Sequence, residues 1–198
     1  MPSTYITLAQ IATVTSANDL LEAIYPNINT IELPINIDYI ASCIEKVKVS
    51  NDLNFEHLDK AGLIQVLRDE TLQVNNINIW VNPLELDTRQ RFTQAHELGH
   101  LVYDISPALN NPNLDEEFID VLHRQEGVRS FKETRANRFA AQLLMPATLV
   151  KREVLGLVEQ VKAENTKISK DEVITRLSGI FNTSKEAMTY RLEDLHII

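Results

Sequence analysis

Two histidines and a glutamate at helical spacing are the residues of this sequence best suited to chemistry. The stretch from Arg91 to Asp104 has no proline and a single glycine, and its apolar residues recur as in an α-helix. His96 and His100 are four residues apart, so one helix face can offer both imidazoles to one metal ion. Glu97 is rotated by about 100° from His96 around the helix axis. We therefore predict that Glu97 lies beside the ion and acts as the general base toward the attacking water.

A third metal ligand is expected from a second helix, predicted from Glu133 to Met145. One face of this helix carries a carboxylate, an amide and then small residues, which would allow close packing against Gly99 of the first helix. Glu133 can then complete a His-His-Glu set. Asn137 lies one turn further along and can accept the free ring N–H of a ligand histidine. The rival third ligands are Glu116, Glu117, His123 and Glu126.

The period of the apolar residues changes along the chain, and this predicts an α+β fold. Helical spacing predicts a helix from Ile37 to Val47 and the body of the metal helix from Arg89 to Tyr103, capped by Asp87-Thr88. Between them a period of about two predicts a small antiparallel meander. Its strands are Leu63 to Leu67, Thr71 to Val74 and Ile77 to Val81. The edge of the last strand is expected to dock an extended peptide by main-chain hydrogen bonds.

The segments that follow the metal helix are predicted to shape the cleft and to form a helical tail. Residues 105–129 are rich in Pro and Asn and then acidic, and they predict a loop with a short helix from Leu114 to His123. A further helix is predicted from Pro146 to Ala163. Two shorter helices, Ser169 to Phe181 and Ser184 to Leu195, resemble a helix-turn-helix pair.

The charge of the chain argues against a nucleic-acid-binding protein. Residues 1–150 hold 11 Lys and Arg against 20 Asp and Glu, and they account for the whole net charge of −9. The last predicted helix has only Lys185 and Arg191 as bases, so we expect it to pack or to bind protein rather than DNA. The N-terminus has no secretory pattern and no apolar run is long enough to span a membrane. We therefore expect a cytoplasmic protein that does not bind membranes.

The sequence resembles the ImmA/IrrE metallo-endopeptidases over roughly residues 34–146. The resemblance rests on Arg91 to His100, on Glu133 with Ala136 to Ala141, and on Leu143 to Pro146. It departs from the family at Asp104, where relatives often have a histidine, and in the length of the 105–129 segment. The resemblance implies that His96, His100 and Glu133 are metal ligands and that Glu97 is the catalytic base.

From the residues and the resemblance together we expect a mostly helical, zincin-like domain with a β-meander and a helix-turn-helix-like pair. The expected division is an N-terminal extension over residues 1–33, a metallopeptidase core over 34–146 and a C-terminal helical region over 147–198. The resemblance implies cleavage of a helix-turn-helix transcriptional repressor or antitoxin. The alternative is a toxin-type or non-catalytic partner of a DNA-binding regulator, within a toxin–antitoxin or mobile-element module. Zinc is the expected ion, and manganese and iron accept the same donors.

Overall fold

The fold is α+β and mostly helical, as the sequence predicts. We describe residues 5–109, 117–118 and 131–198 of a computed structural model. The α-helices are α1 (Leu8–Ile11), α2 (Ala17–Ile24), α3 (Ile37–Ser42), α4 (Asp87–His100), α5 (Phe131–Leu144), α6 (Ala147–Ala163), α7 (Lys170–Phe181) and α8 (Lys185–Asp194). The strands are β1 (Val47–Ser50), β2 (Gly62–Arg68), β3 (Val74–Val81) and β4 (Glu117–Phe118).

The four strands form one mixed sheet in the order β1-β3-β2-β4. β2 and β3 make an antiparallel hairpin in which Gly62 pairs with Val81, and β4 adds to β2 in antiparallel orientation. β1 pairs with β3 in parallel, with Val47 opposite Ile77. The first and last strands predicted for the meander exist as β2 and β3, but they pair directly with each other and the sheet as a whole is mixed, so the meander is not confirmed.

The predicted middle strand of the meander, Thr71 to Val74, is wrong, because most of this segment forms the turn between β2 and β3. The Asp69 carboxylate accepts hydrogen bonds from the backbone N–H groups of Thr71 and Gln73, at 2.8 and 3.0 Å. Leu72 has a φ of 63°. A side chain that satisfies the turn in this way competes with strand pairing, so the apolar alternation continues through a segment that is not extended.

The helix predicted from Ile37 to Val47 is too long. α3 ends at Ser42, and β1 begins at Val47 after Lys46, which has a φ of 62°. The backbone between them turns toward the N-terminal segment, where Ile6 donates to the carbonyl of Cys43 at 2.8 Å. Ile44 and Val47 are buried although they lie beyond the helix, so their spacing did not reveal the change.

β3 cannot dock an extended peptide along its edge, because it lies between β1 and β2. Residues Ile77 to Trp80 pair with β1 on one side and with β2 on the other. The expectation that Ile77 to Val81 offers a free edge to a substrate is therefore wrong. A parallel partner strand more than twenty residues upstream leaves no local signal in the sequence of β3.

α4 contacts the middle of the sheet with one side and carries the two histidines on another. It begins at Asp87, with Leu86 at the N-cap and no side-chain cap, so the predicted cap at Asp87-Thr88 is wrong. Ala95, Leu98 and Val102 are buried, whereas Phe92 is half-buried. The helix continues into a π-helical turn over Leu101–Ile105.

The tail contains the three predicted helices. The hydroxyls of Ser169 and Ser184 accept hydrogen bonds from the third residue of α7 and of α8, at 3.2 and 3.1 Å. Asn182 adopts the left-handed conformation between the two helices, and this ends α7. Arg191 is 6% exposed and donates to the carbonyl of Met145 at 2.8 Å. This base of α8 therefore holds the tail to the end of α5.

Buried residues from α1 to α8 form one continuous hydrophobic core. Of the short helix predicted from Leu114 to His123, Glu117–Phe118 is strand β4, and the remainder lies outside the described residues. Within the described ranges, no helix combines the length and the apolar character needed to cross a membrane.

Candidate metal centre

Close packing of α4 against α5 brings the site together. A Cβ atom placed on Gly99 would lie 3.1 Å from Cα of Ala136 and 3.2 Å from its carbonyl oxygen. Ala136 and Ala140 are fully buried at this crossing. The prediction that Gly99 and the small residues of the second helix permit close approach is therefore confirmed.

His96, His100 and Glu133 converge at this crossing, with one potential ligand atom of each within 4.8 Å of the others. Nε2 of His96 lies 3.3 Å from Glu133 Oε2, and Nε2 of His100 lies 3.4 Å from Glu133 Oε1. The two Nε2 atoms are 3.0 Å apart. Lone pairs so close repel unless a proton or a cation lies between them, so two imidazoles and a carboxylate here fit a divalent ion.

The charges of the cluster also favour a cation. Burial by itself lowers the pKa of His100, but the hydrogen bonds to Glu133 and Asp104 outweigh burial and raise this pKa to about 9. The hydrogen bonds from His100 and His96 hold the pKa of Glu133 well below its usual range. A site that retains a proton on an imidazole above neutral pH is a site that attracts positive charge.

The outward nitrogens of both imidazoles face oxygen acceptors. Nδ1 of His96 lies 3.0 Å from Asn137 Oδ1, the contact that the sequence predicts. Nδ1 of His100 lies 3.0 Å from Oδ2 of Asp104. With these nitrogens donating, each Nε2 can present a lone pair to an ion.

Asp104 is the residue that sequence reasoning missed, because it was treated only as a departure from the family. The signal was present, since Asp104 follows His100 by four residues and so lies one turn further on the same face. Asp104 is buried, with 3% of its side chain exposed, and its Oδ1 accepts from Arg135 of α5 at 2.8 Å. Arg135 also lies over the ring of Tyr103, 4.5 Å from its centroid. Asp104 therefore connects a histidine of α4 to the helix that carries Glu133.

Glu97 is fully buried on the side of α4 that faces the sheet. A Cβ atom on Gly62 would collide with Cγ2 of Thr93 and lie 3.6 Å from Glu97 Oε1, so only glycine fits at the start of β2. Glu97 is not a member of the three-donor cluster, but its charge acts on it by raising the pKa of His100. This is the arrangement expected of a residue beside an ion.

Tyr103, three residues beyond His100, and the rival third ligands are the remaining candidates for the site. The hydroxyl of Tyr103 donates to the carbonyl of Thr15 at 3.1 Å, so Tyr103 fixes the N-terminal segment and is not available as an oxyanion donor. The rival ligands Glu116, His123 and Glu126 lie outside the described residues, and only the backbone of Glu117 is described.

The comparison with known protein families agrees with this geometry. The family model Peptidase_M78, described as the IrrE N-terminal-like domain, matches residues 63–193, which is well over half of the chain. The match includes α4 and α5 and therefore all three donors, and no curated protein matches the chain. The resemblance seen in the sequence is confirmed: the chain belongs to the IrrE N-terminal-like domain family, and its function is of the metallopeptidase type.

Proposed function

We propose that this protein is a zinc-dependent endopeptidase that cleaves a protein substrate. The observation that carries the proposal is the convergence of His96, His100 and Glu133 within 4.8 Å, with Glu97 buried beside them. Two imidazoles and one carboxylate are the protein ligands of several catalytic zinc sites, and they leave one position for water or substrate. Zinc is therefore the ion we propose, although manganese and iron accept the same donors.

The residues of the site would bind the ion, orient its ligands and transfer a proton. His96, His100 and Glu133 would hold the ion, while Asn137 and Asp104 orient the two imidazoles. The ion, when bound, supplies Lewis acidity that polarises the scissile carbonyl and makes water more acidic. Glu97 takes the proton from the attacking water and passes it to the nitrogen of the departing peptide. The position of Glu97, buried beside the three donors, supports this role.

We further propose that the substrate is a helix-turn-helix transcriptional repressor or antitoxin. The resemblance to the ImmA/IrrE peptidases implies this class. The acidic charge of residues 1–150 supports it, since DNA-binding regulators are basic and are attracted to such a surface.

The experiment compares the wild-type protein with Glu97→Gln on small helix-turn-helix regulators, beginning with any that a neighbouring gene encodes. Glutamine keeps the shape of the side chain but cannot accept the proton. The variant should retain its metal and its fold, while cleavage seen by mass spectrometry falls by about a hundredfold or more. Equal cleavage by both proteins would refute the role of Glu97. Tight binding without cleavage by the wild type would instead favour the toxin-type or non-catalytic partner.

A further inference from the structure

Five large apolar side chains are exposed at the end of the sheet where β2 begins and β3 ends. Three belong to the segment before β2 and two to the segment after β3: Leu53, Phe55, Leu58, Leu84 and Leu86. Phe55 is 79% exposed and Leu86 is 78% exposed. We call these five residues the apolar rim. Exposed apolar residues on two adjacent segments are characteristic of a binding surface rather than of scattered surface residues.

The two segments of the apolar rim are held together by specific hydrogen bonds. The side-chain amide of Asn82 donates to the carbonyls of Leu58 and Lys60, at 3.2 and 2.9 Å. The indole nitrogen of Trp80 donates to the carbonyl of Asp52 at 2.8 Å. These contacts fix the first segment to the end of β3, and Leu84 of the second segment donates its backbone N–H to Asn82 Oδ1 at 3.0 Å. The rim is therefore a formed surface and little ordering is needed on binding.

The apolar rim is connected through the start of β2 to the residue that we propose as catalytic base. Gly62 follows the first segment of the rim by four residues, and a Cβ atom added to Gly62 would lie 3.6 Å from Glu97 Oε1. A depression of about 560 Å³ opens within this first segment, and Leu53, Phe55 and Trp80 are among its lining residues. A depression of this size can accept an anchoring side chain of a protein bound beside the cleft.

The charges around the apolar rim indicate the chemistry of its partner. Residues 51–61 and 82–89 contain five acidic residues and only two lysines or arginines. The acidic residues are Asp52, Glu56, Asp59, Glu85 and Asp87, and the basic residues are Lys60 and Arg89. An apolar surface within an acidic surround fits apolar side chains that are flanked by lysine or arginine.

We propose that the apolar rim is the substrate-docking surface, and that it binds an amphipathic helix of the protein substrate with apolar and basic faces. The proposal rests on the proposed function, because the partner is the protein that the site would cut. The apolar rim takes the place of the free edge of β3, which the sequence predicted as the substrate-docking element. Docking through side chains outside the metal centre would select one protein and leave Glu97 and the metal ligands to act on the bond.

The test measures binding without cleavage. The probe is a fluorescent synthetic amphipathic helix with leucine on one face and lysine on the other, and its matched control carries glutamate in place of lysine. Both are titrated by anisotropy against the Glu97→Gln protein and against the same protein with Phe55→Ser and Leu86→Ser. Serine at position 86 is a favourable N-cap for α4, so the fold should be preserved. The control surface is changed by Leu155→Ser and Val158→Ser on α6, which remove two other exposed apolar side chains.

We expect the lysine probe to bind the Glu97→Gln protein at least tenfold more tightly than the glutamate probe. We expect Phe55→Ser with Leu86→Ser to weaken binding at least tenfold, and Leu155→Ser with Val158→Ser to change it less than twofold. Equal binding by both altered surfaces, or by both probes, would overturn the proposal. Light scattering that showed a dimer dissolved by Phe55→Ser with Leu86→Ser would also overturn it, because a second copy would then be the occupant.

Failure of docking and failure of the proposed function give different results. If the probe binds through the apolar rim but the regulator is not cut, the docking surface is supported and the peptidase function is refuted. If a regulator is cut equally well by the wild type and by the protein with Phe55→Ser and Leu86→Ser, the peptidase function is supported and the docking surface is refuted.

Discussion

The three donors of the metal cluster differ in exposure, so one side of the cluster is open to solvent. The donors are His96, His100 and Glu133. The side chains of His96 and His100 are 1% and 6% exposed, whereas that of Glu133 is 32% exposed. Solvent therefore reaches the cluster from the side of Glu133. Glu97 is fully buried on the sheet side of α4, away from this exposed side of the cluster.

Asp104 should influence metal affinity although it is not a ligand. Asp104→Asn keeps the size of the side chain but removes the charge that orients His100 and pairs with Arg135. We expect the dissociation constant for zinc, measured by chelator competition, to rise about 10- to 100-fold, which is usual when a partner of a ligand histidine is changed.

The matched control for Asp104 is Lys132→Ala. Lys132 reaches the same carboxylate only at 3.9 Å, and more than half of its side chain is exposed. We expect this variant to keep its zinc affinity, because exposed ion pairs contribute little. An unchanged dissociation constant in Asp104→Asn would show that this carboxylate does not position His100.

Single residues of the site could be predicted when they share one helix. The four-residue spacing of His96 and His100 and of Glu133 and Asn137 places each pair on one face, and the described structure has those contacts. The approach of α5 to α4 could be predicted only from residue size. Arg135 could not be predicted, because its contact with Asp104 depends on how the two helices cross.

At the scale of elements, the crossing of α4 and α5 controls the site. Gly99 should be intolerant of a methyl group because the added Cβ meets the backbone of Ala136 at 3.1 Å. Gly156 of α6 has no atom within 4 Å of such a Cβ and serves as the control. Ala in place of a helical Gly adds up to about 1 kcal/mol of helix propensity at either position.

We expect Gly156→Ala to raise the free energy of unfolding. The free energy of unfolding of Gly99→Ala should be lower than that of Gly156→Ala by at least about 1 kcal/mol. Gly99→Ala should also weaken zinc binding, since displacement of α5 moves Glu133 away from the histidines. Urea denaturation and chelator competition measure the two effects. Equal stability and equal zinc affinity in the two variants would show that a methyl group fits at the crossing of α4 and α5.

The end of a helix or strand was predictable where side chains close to it in the sequence determine it. Ser169 and Ser184 cap α7 and α8 as predicted, because the cap is a contact within four residues. β1 was missed because its pairing partner is β3, distant in the sequence, and because its valines continued the apolar spacing of α3. The length of the turn that starts at Asp69 was missed because apolar Leu72 and Val74 follow it.

At the scale of the whole molecule, the charge distribution still favours a protein partner. Lys185 is exposed on α8, whereas Arg191 is buried and donates to Asp194 and to the carbonyl of Met145. This leaves one exposed base on the helix that would read DNA, where several are usual. The absence of direct DNA binding stays a prediction, and a sub-micromolar gel shift of its own promoter that Lys185→Glu abolished would contradict it.

The metal content of purified protein is the most direct test of the central claim that His96, His100 and Glu133 hold one catalytic ion. Elemental analysis should find about one divalent ion, mainly zinc, per chain in the wild type and in Glu97→Gln, because Glu97 is not a ligand. Glu133→Ala should retain little metal, whereas His123→Ala should retain all of it. Full occupancy in Glu133→Ala together with an empty site in His123→Ala would contradict the account.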